Sequence, residues 1–371
     1  MKKKSILFTP IKINTVTIPN RFVRSATHDF LAANDGYITE RQISLYRNLG
    51  KGEVGLIITG HAFVHPAGKA SPYQIGVHDD GTVEGLNRIT QAVHEFPARI
   101  FLQIAHAGRQ TKEKLCGCTP LAPSAVYEPV FKITPKEMTI RDIKAVITQF
   151  IQAGVRAKQA GFDGVQLHVA HGYLLSGFVS PYTNKRNDEY GGSLTNRAKI
   201  VLEIVKGIKK SAGEQFPLIL KMNATDSLKG GLTTEESIQL GTLLEKIGVD
   251  GIEVSGGMAE SGEGSVWKGL RSENDEGYFV DAASRIKEAV RVPVFGLGGI
   301  RTFSNMESLI LEGRVDMISM SRPFIRQPFL VREFRLDRFK KAECISCNKC
   351  FNPRGISCGD LKSKKKTPKK D

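Results

Sequence analysis

The sequence predicts an α/β fold, a TIM (β/α)8 barrel, and three observations predict it. Short β-branched runs alternate with longer helical patterns, the alternation repeats eight times, and the two longest insertions both leave the C-terminal ends of strands. A length of 371 residues suits one such barrel with loop insertions and a short extension. An open doubly wound sheet competes, but no Gly-x-Gly-x-x-Gly follows the first strand, so the dinucleotide fingerprint of that architecture is missing.

The expected strands are residues 21–25, 54–59, 99–105, 164–168, 217–222, 251–255, 293–296 and 316–320. Central strands read as nearly unbroken apolar runs, such as Val54-Gly55-Leu56-Ile57-Ile58, as required when the barrel interior buries one face and helices the other. Helices are expected over 140–160, 194–212 and 234–247, where apolar residues return every three or four positions until Gly161, Gly213 and Gly248 stop the pattern. The insertions at 110–134 and 171–193 fall on the face where barrel enzymes place their chemistry. The chain divides into a barrel over 1–340, a Cys-containing extension over 341–360, and a Lys-rich tail over 361–371 expected to be disordered.

With 40% hydrophobic and 25% charged residues, and no apolar run long enough to cross a bilayer, the composition excludes a membrane span. The apolar stretch at 5–11 contains Pro10, meets Lys12 at once and is followed by no small-residue cleavage site, so a cytoplasmic protein is expected. Much of the formal net charge of +15 sits in Lys2, Lys3 and Lys4 at one end and Lys362, Lys364, Lys365, Lys366, Lys369 and Lys370 at the other. No basic helix, aromatic-interleaved basic strand or zinc-finger spacing accompanies it, which argues against a nucleic-acid partner and for a small molecule. A homo-oligomer is compatible with this composition.

Chemistry concentrates after the fourth strand, in Gln166-Leu167-His168-Val169-Ala170-His171-Gly172-Tyr173. Two imidazoles can polarise an oxygen that gains negative charge, and a phenol can deliver a proton to a nearby carbon. Taken alone, His-x-x-His is equally a metal pair or a polar turn. A metallohydrolase barrel could use His28, His61, His106 and His168, yet after strands five and six only Asn223, Asp226, Ser255, Gly256 and Gly257 follow, with no later histidine. After strands seven and eight come Gly298-Gly299 and Ser321-Arg322. There backbone N–H groups and a guanidinium suit a phosphate-bearing ligand; the alternative is a plain turn with a paired arginine.

With these residues in hand, the chain resembles the Old Yellow Enzyme class of NADH:flavin oxidoreductases over residues 5–340. The likeness rests on Asn20-Arg21-Phe22-Val23, the run from Val54 to Gly60, Gln103-Ile104-Ala105-His106-Ala107-Gly108-Arg109, and above all His171-Gly172-Tyr173-Leu174, Ser180-Pro181 and Asp188-Glu189-Tyr190-Gly191-Gly192-Ser193. The resemblance implies FMN in the barrel mouth and NAD(P)H as electron donor. Thr27, His28 and Gly60 would border the ring, Gln103 its pyrimidine edge, and Gly298, Gly299, Ser321 and Arg322 the phosphate. Lys221 stands where the family more often has arginine, keeping the charge without the planar fork. His28 stands where relatives often carry cysteine or threonine.

His168 and His171 would bind the acceptor oxygen of an α,β-unsaturated carbonyl-type substrate and Tyr173 would protonate it, with His168 also bordering the flavin. Tyr127 and Trp267 would shape the pocket. The alternatives are an amine- or ether-oxidising flavin dehydrogenase on the same barrel and an electron-transfer protein using its cysteines.

Cys344-x-x-Cys347-x-x-Cys350 with Cys358 resembles the iron–sulfur motif of the longer dienoyl-CoA reductase and trimethylamine dehydrogenase relatives, with a shorter spacing before the last cysteine. Four thiolates can hold a [4Fe–4S] cluster or zinc, and plain reduced thiols are the alternative. Cys116 and Cys118 are expected to be incidental.

Overall fold

Eight parallel strands pair in sequence and close on themselves: β1 (Phe22–Arg24), β2 (Leu56–Ile58), β3 (Arg99–Ala105), β4 (Gly164–Val169), β5 (Leu218–Asn223), β6 (Gly251–Ser255), β7 (Val294–Gly296) and β8 (Met317–Met320). Closure is made by β8 against β1, where Ile318 pairs with Phe22, and by β2 against β3, where Leu56 pairs with Arg99. The structure is a computed structural model, and it describes residues 5–361. The Lys-rich tail therefore lies outside the described residues but for Leu361.

Each strand is followed by a helix: α1 (Glu40–Lys51), α2 (Thr82–His94), α3 (Ile140–Gln159), α4 (Leu194–Ala212), α5 (Thr234–Glu245), α6 (Val280–Ala289), α7 (Phe303–Leu311) and α8 (Leu330–Arg335). The sequence explains where three of them begin. Thr139 and Thr233 cap α3 and α5, each in a reciprocal box with the residue three positions on, Asp142 and Glu236; Ser193 caps α4.

Two apolar clusters hold the barrel. The larger fills the space between strands and helices, with Phe150, Val201 and Leu240 among its wholly buried members. The smaller lies inside, at the strands' N-terminal ends, where Val23, Leu56, Phe101, Ile219, Phe295 and Met317 meet Ile13 and Ile18. Those two isoleucines come from an antiparallel hairpin, Ile11–Ile13 with Val16–Ile18, which closes the barrel floor. Chemistry is thereby confined to the opposite end. Among the described residues no helix is long and apolar enough to cross a membrane.

The extension folds back over that open end. Lys341 bridges to Thr302, Arg301 Nη1 donates to the carbonyl of Cys344, and Ile356 N donates to the carbonyl of Asp29 at 2.8 Å.

Candidate active site

Above the polar ends of the strands two adjoining cavities form one cleft, sharing Thr27, His28, His171, Lys221 and Phe351 as walls. One end is built from rings. His168 leaves β4 pointing inward, and the chain then turns through His171 at φ 65° and Gly172 at φ 81°. The positive φ at 172 favours glycine, and a side chain there would also have to displace Gln110 Nε2. Asn223 Oδ1 accepts from His171 N at 3.0 Å and Gln110 Nε2 donates to the carbonyl of His171 at 2.6 Å, which pins the strained conformation. The turn brings His171 Nε2 within 2.8 Å of Ser255 Oγ on β6 and delivers Tyr173 to the start of the short helix Leu174–Val179.

Tyr173 Oη lies 2.9 Å from His61 Nε2, and its ring is 4.7 Å from that of His168. His168 Nδ1 is buried without a protein partner, an unused hydrogen-bonding atom on a residue that lines the cleft. Burial holds His61 down at about 4. It does the same to His171, with Lys221 and His61 adding to the effect, and brings that group to about 3. His168 is held well below the usual range by burial and then by His171, His61 and Lys221. Burial raises Tyr173. At neutral pH all four groups are uncharged.

The other end is cationic. Lys221 Nζ on β5 donates to Ser25 Oγ at 2.8 Å and lies 3.5 Å from Glu253 on β6. Arg322 donates to the carbonyl of Trp267 at 2.8 Å and to Asn348 Oδ1 at 2.7 Å. Arg301 bonds the carbonyl of Leu270 and faces Glu276, while its Nη2 is buried without a partner. An orphaned guanidinium N–H beside the backbone of Gly299 and Ser321 is a donor set that fits a phosphate.

Of the residues expected from sequence, Thr27, His28, Gln103, His168, His171, Tyr173, Lys221, Gly299, Ser321 and Arg322 line the cleft. Thr27 and Ser321 join through their hydroxyls at 2.7 Å, and His28 Nε2 meets Ser71 Oγ at 2.5 Å. Gly60 and Gly298 do not line it. A side chain at 60 would meet the carbonyl of Thr27 at 2.9 Å, and one at 298 the backbone N of Tyr278 at 2.8 Å, so both glycines admit a close approach of the protein's own backbone. Tyr127 and Trp267 stay outside as well. Trp267 stacks on Tyr278, and it is Tyr278 and Phe351 that face the cavity.

Sequence reasoning missed His61 as the partner of Tyr173 and Arg301 at the cationic end. Their position just past the ends of strands two and seven was the available signal.

Cys344, Cys347, Cys350 and Cys358 line a separate small pocket with Arg322 and Arg326, and Arg326 Nη1 lies 3.6 Å from Cys358 Sγ. Among the described residues no three His, Cys, Asp or Glu side chains converge to hold a metal ion. Four thiols are the donor type of a [4Fe–4S] cluster or of a zinc site. Cys116 Sγ donates to the carbonyl of Cys118, away from this group.

Residues 6–341 match the family model described as the NADH:flavin oxidoreductase / NADH oxidase family. The chain is 39% identical over 347 residues to an NADH oxidase of Thermoanaerobacter brockii, covering 92% of this chain and 52% of that protein. A solved 2-naphthoyl-CoA reductase in complex with 2-naphthoyl-CoA superposes with a TM-score of 0.88 at 30% identity, over 93% of this chain and 54% of that one. An old yellow enzyme homologue from Zymomonas mobilis superposes with a TM-score of 0.79 at 25% identity, covering 95% of this chain and 97% of its own. The chain thus spans about half the length of the curated relatives it matches.

Proposed function

Because the chain belongs to the NADH:flavin oxidoreductase / NADH oxidase family, we propose that it is an FMN-dependent reductase that uses NAD(P)H to reduce the activated double bond of an α,β-unsaturated carbonyl-type substrate. The observation that carries this reading is the polarity of the cleft, uncharged hydrogen-bonding rings at one end and cations at the other.

FMN would be held by Gln103 and Lys221 at its ring and by Arg301, Arg322, Ser321 and the Gly299 backbone at its phosphate. Bound there, it supplies the hydride taken from NAD(P)H. His168 and His171 hold the carbonyl oxygen of the substrate, and as neutral donors they stabilise the charge that builds on it without giving up a proton outright. Tyr173 Oη gives its proton to the carbon next to the carbonyl. His61 Nε2, hydrogen-bonded to that oxygen, steadies the phenolate left behind and lies on the route of its reprotonation. No described residue lining the cleft is a carboxylate, which disfavours a cationic amine as the substrate.

The cysteine quartet would hold a [4Fe–4S] cluster, which supplies single-electron transfer beside the barrel mouth.

An absorption spectrum of protein purified without oxygen tests both cofactors at once. A flavin spectrum bleached by NAD(P)H and restored by cyclohexenone is expected, over a broad absorbance that tracks iron and sulfide content. Protein that retains no flavin when supplied with FMN sinks the reading, and amine-driven bleaching would replace it with a dehydrogenase.

A further inference from the structure

Behind the cleft wall the barrel interior carries a chain of polar side chains, of which the chemistry above uses only Gln103 and Lys221. Gln103 on β3 and Gln166 on β4 are register partners, and Gln103 Nε2 donates to Gln166 Oε1 at 2.7 Å. Gln166 Nε2 then donates to Glu253 Oε2 on β6 at 2.9 Å, and the second carboxylate oxygen accepts from Ser319 Oγ on β8 at 2.5 Å. Lys221, the register partner of Glu253, completes the group at 3.5 Å. Glu253 is wholly buried.

The ends of this chain are not equivalent. Burial favours the protonated acid, but the Lys221 ammonium, and after it the hydroxyls of Ser319 and Ser25 and the amide of Gln166, outweigh burial and hold the carboxyl below its ordinary range. An ionised carboxylate accepts hydrogen bonds and donates none. Gln166 must therefore turn its NH2 to Glu253 and its oxygen to Gln103, and Gln103 must spend an N–H on that oxygen. Among the described residues the amide oxygen of Gln103, a residue that lines the cleft, has no protein partner. A fixed acceptor is left for the ligand.

We propose that Glu253 is a positioning residue that sets the donor–acceptor sense of the Gln166–Gln103 chain, so that the cleft selects a ring edge presenting an imide N–H to Gln103 next to a carbonyl oxygen facing Lys221. The proposal rests on the flavin reading, since the pyrimidine edge of FMN is an imide. It adds that an anion which touches no ligand decides how that edge is read. With glutamine at position 253 the residue could donate as well as accept, the chain could reverse, and Gln103 could turn its NH2 against the imide N–H.

The test is the N3 proton of 15N-labelled FMN, followed by NMR in the wild-type chain and in Glu253→Asp and Glu253→Gln. A downfield, slowly exchanging proton is expected in the wild type and in Glu253→Asp, which keeps an acceptor-only group. Its loss, with FMN binding weaker by about tenfold or more, is expected in Glu253→Gln. Removal of an anion near a phosphorylated ligand would by charge alone tighten binding, so the direction separates the two effects.

Should Glu253→Gln fail to fold, Gln166→Met cuts the same chain with Glu253 left on Lys221 and Ser319, and loss of the N3 proton is expected again. An N3 proton as protected in either variant as in the wild type, with affinity changed by less than about threefold, overturns the proposal alone. A wild-type chain that takes up no FMN overturns the flavin reading and this proposal with it.

Discussion

The two ends of the cleft lie equally deep, and they treat charge in opposite ways. At the ring end, buried His61 and half-buried His171 each have a hydroxyl as their hydrogen-bonding neighbour, and desolvation drives them to about 4 and about 3, so they stay neutral. At the cationic end, Lys221 faces Glu253, Arg301 faces Glu276, and Arg322 is held by a carbonyl and an amide oxygen. Depth is common to both ends. What differs is whether a counter-charge was built alongside, and that decides which groups can hold an anion and which can exchange a proton.

The most forceful way to break this contrast is to remove a counter-charge. Lys221→Met leaves Glu253 buried with neutral partners alone, Gln166, Ser319 and Ser25, so the ligand-free protein is expected to lose about 3–5 kcal/mol of stability. The double variant Lys221→Met/Glu253→Gln should recover most of that loss, because it removes both charges together. Urea midpoints of the four proteins in the cycle measure it. If the double variant is as unstable as the single, pairing is not what keeps the cation at that end.

At the ring end the corresponding removal should spare stability and touch rate. Tyr173→Phe removes a neutral hydroxyl bonded to a neutral imidazole. Rapid-mixing absorbance should show reduction by NAD(P)H nearly unchanged and alkene reduction slower by roughly 100-fold, the loss expected of a general acid. Equal slowing of both halves would mean that the phenol holds the cofactor and gives no proton.

The same contrast governs what could be read in advance. All eight strands were legible because each is a short apolar run ended by turn residues, and a barrel needs every one. His168, His171 and Tyr173 were legible because one loop carries them. Glu253 was not, for it sits singly inside an apolar strand and acquires meaning only when the barrel closes and faces it across to Gln166 and Ser319. Arg301 was hidden likewise, its partners lying on a distant loop and in the extension. Gly60 and Gly298 were legible only as glycines at strand ends, and the space a side chain would take there is occupied by the backbone of Thr27 and Tyr278. The floor hairpin went unread too, because Ile13 and Ile18 find their partners only beneath the closed barrel.

The smallest expected effect sharpens the contrast through pH. His61 has a folded value of about 4 against an ordinary value of 6.5, so between those limits the unfolded chain binds a proton that the folded chain refuses. Its contribution to stability is complete above 6.5 and is lost as pH falls toward 4, by up to about 1.4 kcal/mol for each pH unit. His171, His28, His168 and His106 are also lowered by burial and act in the same direction, so the ligand-free protein should weaken steadily below the histidine range. Replacing His61 by asparagine should remove one histidine's share of that slope, read from urea midpoints one pH unit apart just below 6.5. A His61 variant with the wild-type slope would mean that the folded protein accommodates the imidazolium, and the ring end would then be no more averse to charge than the other.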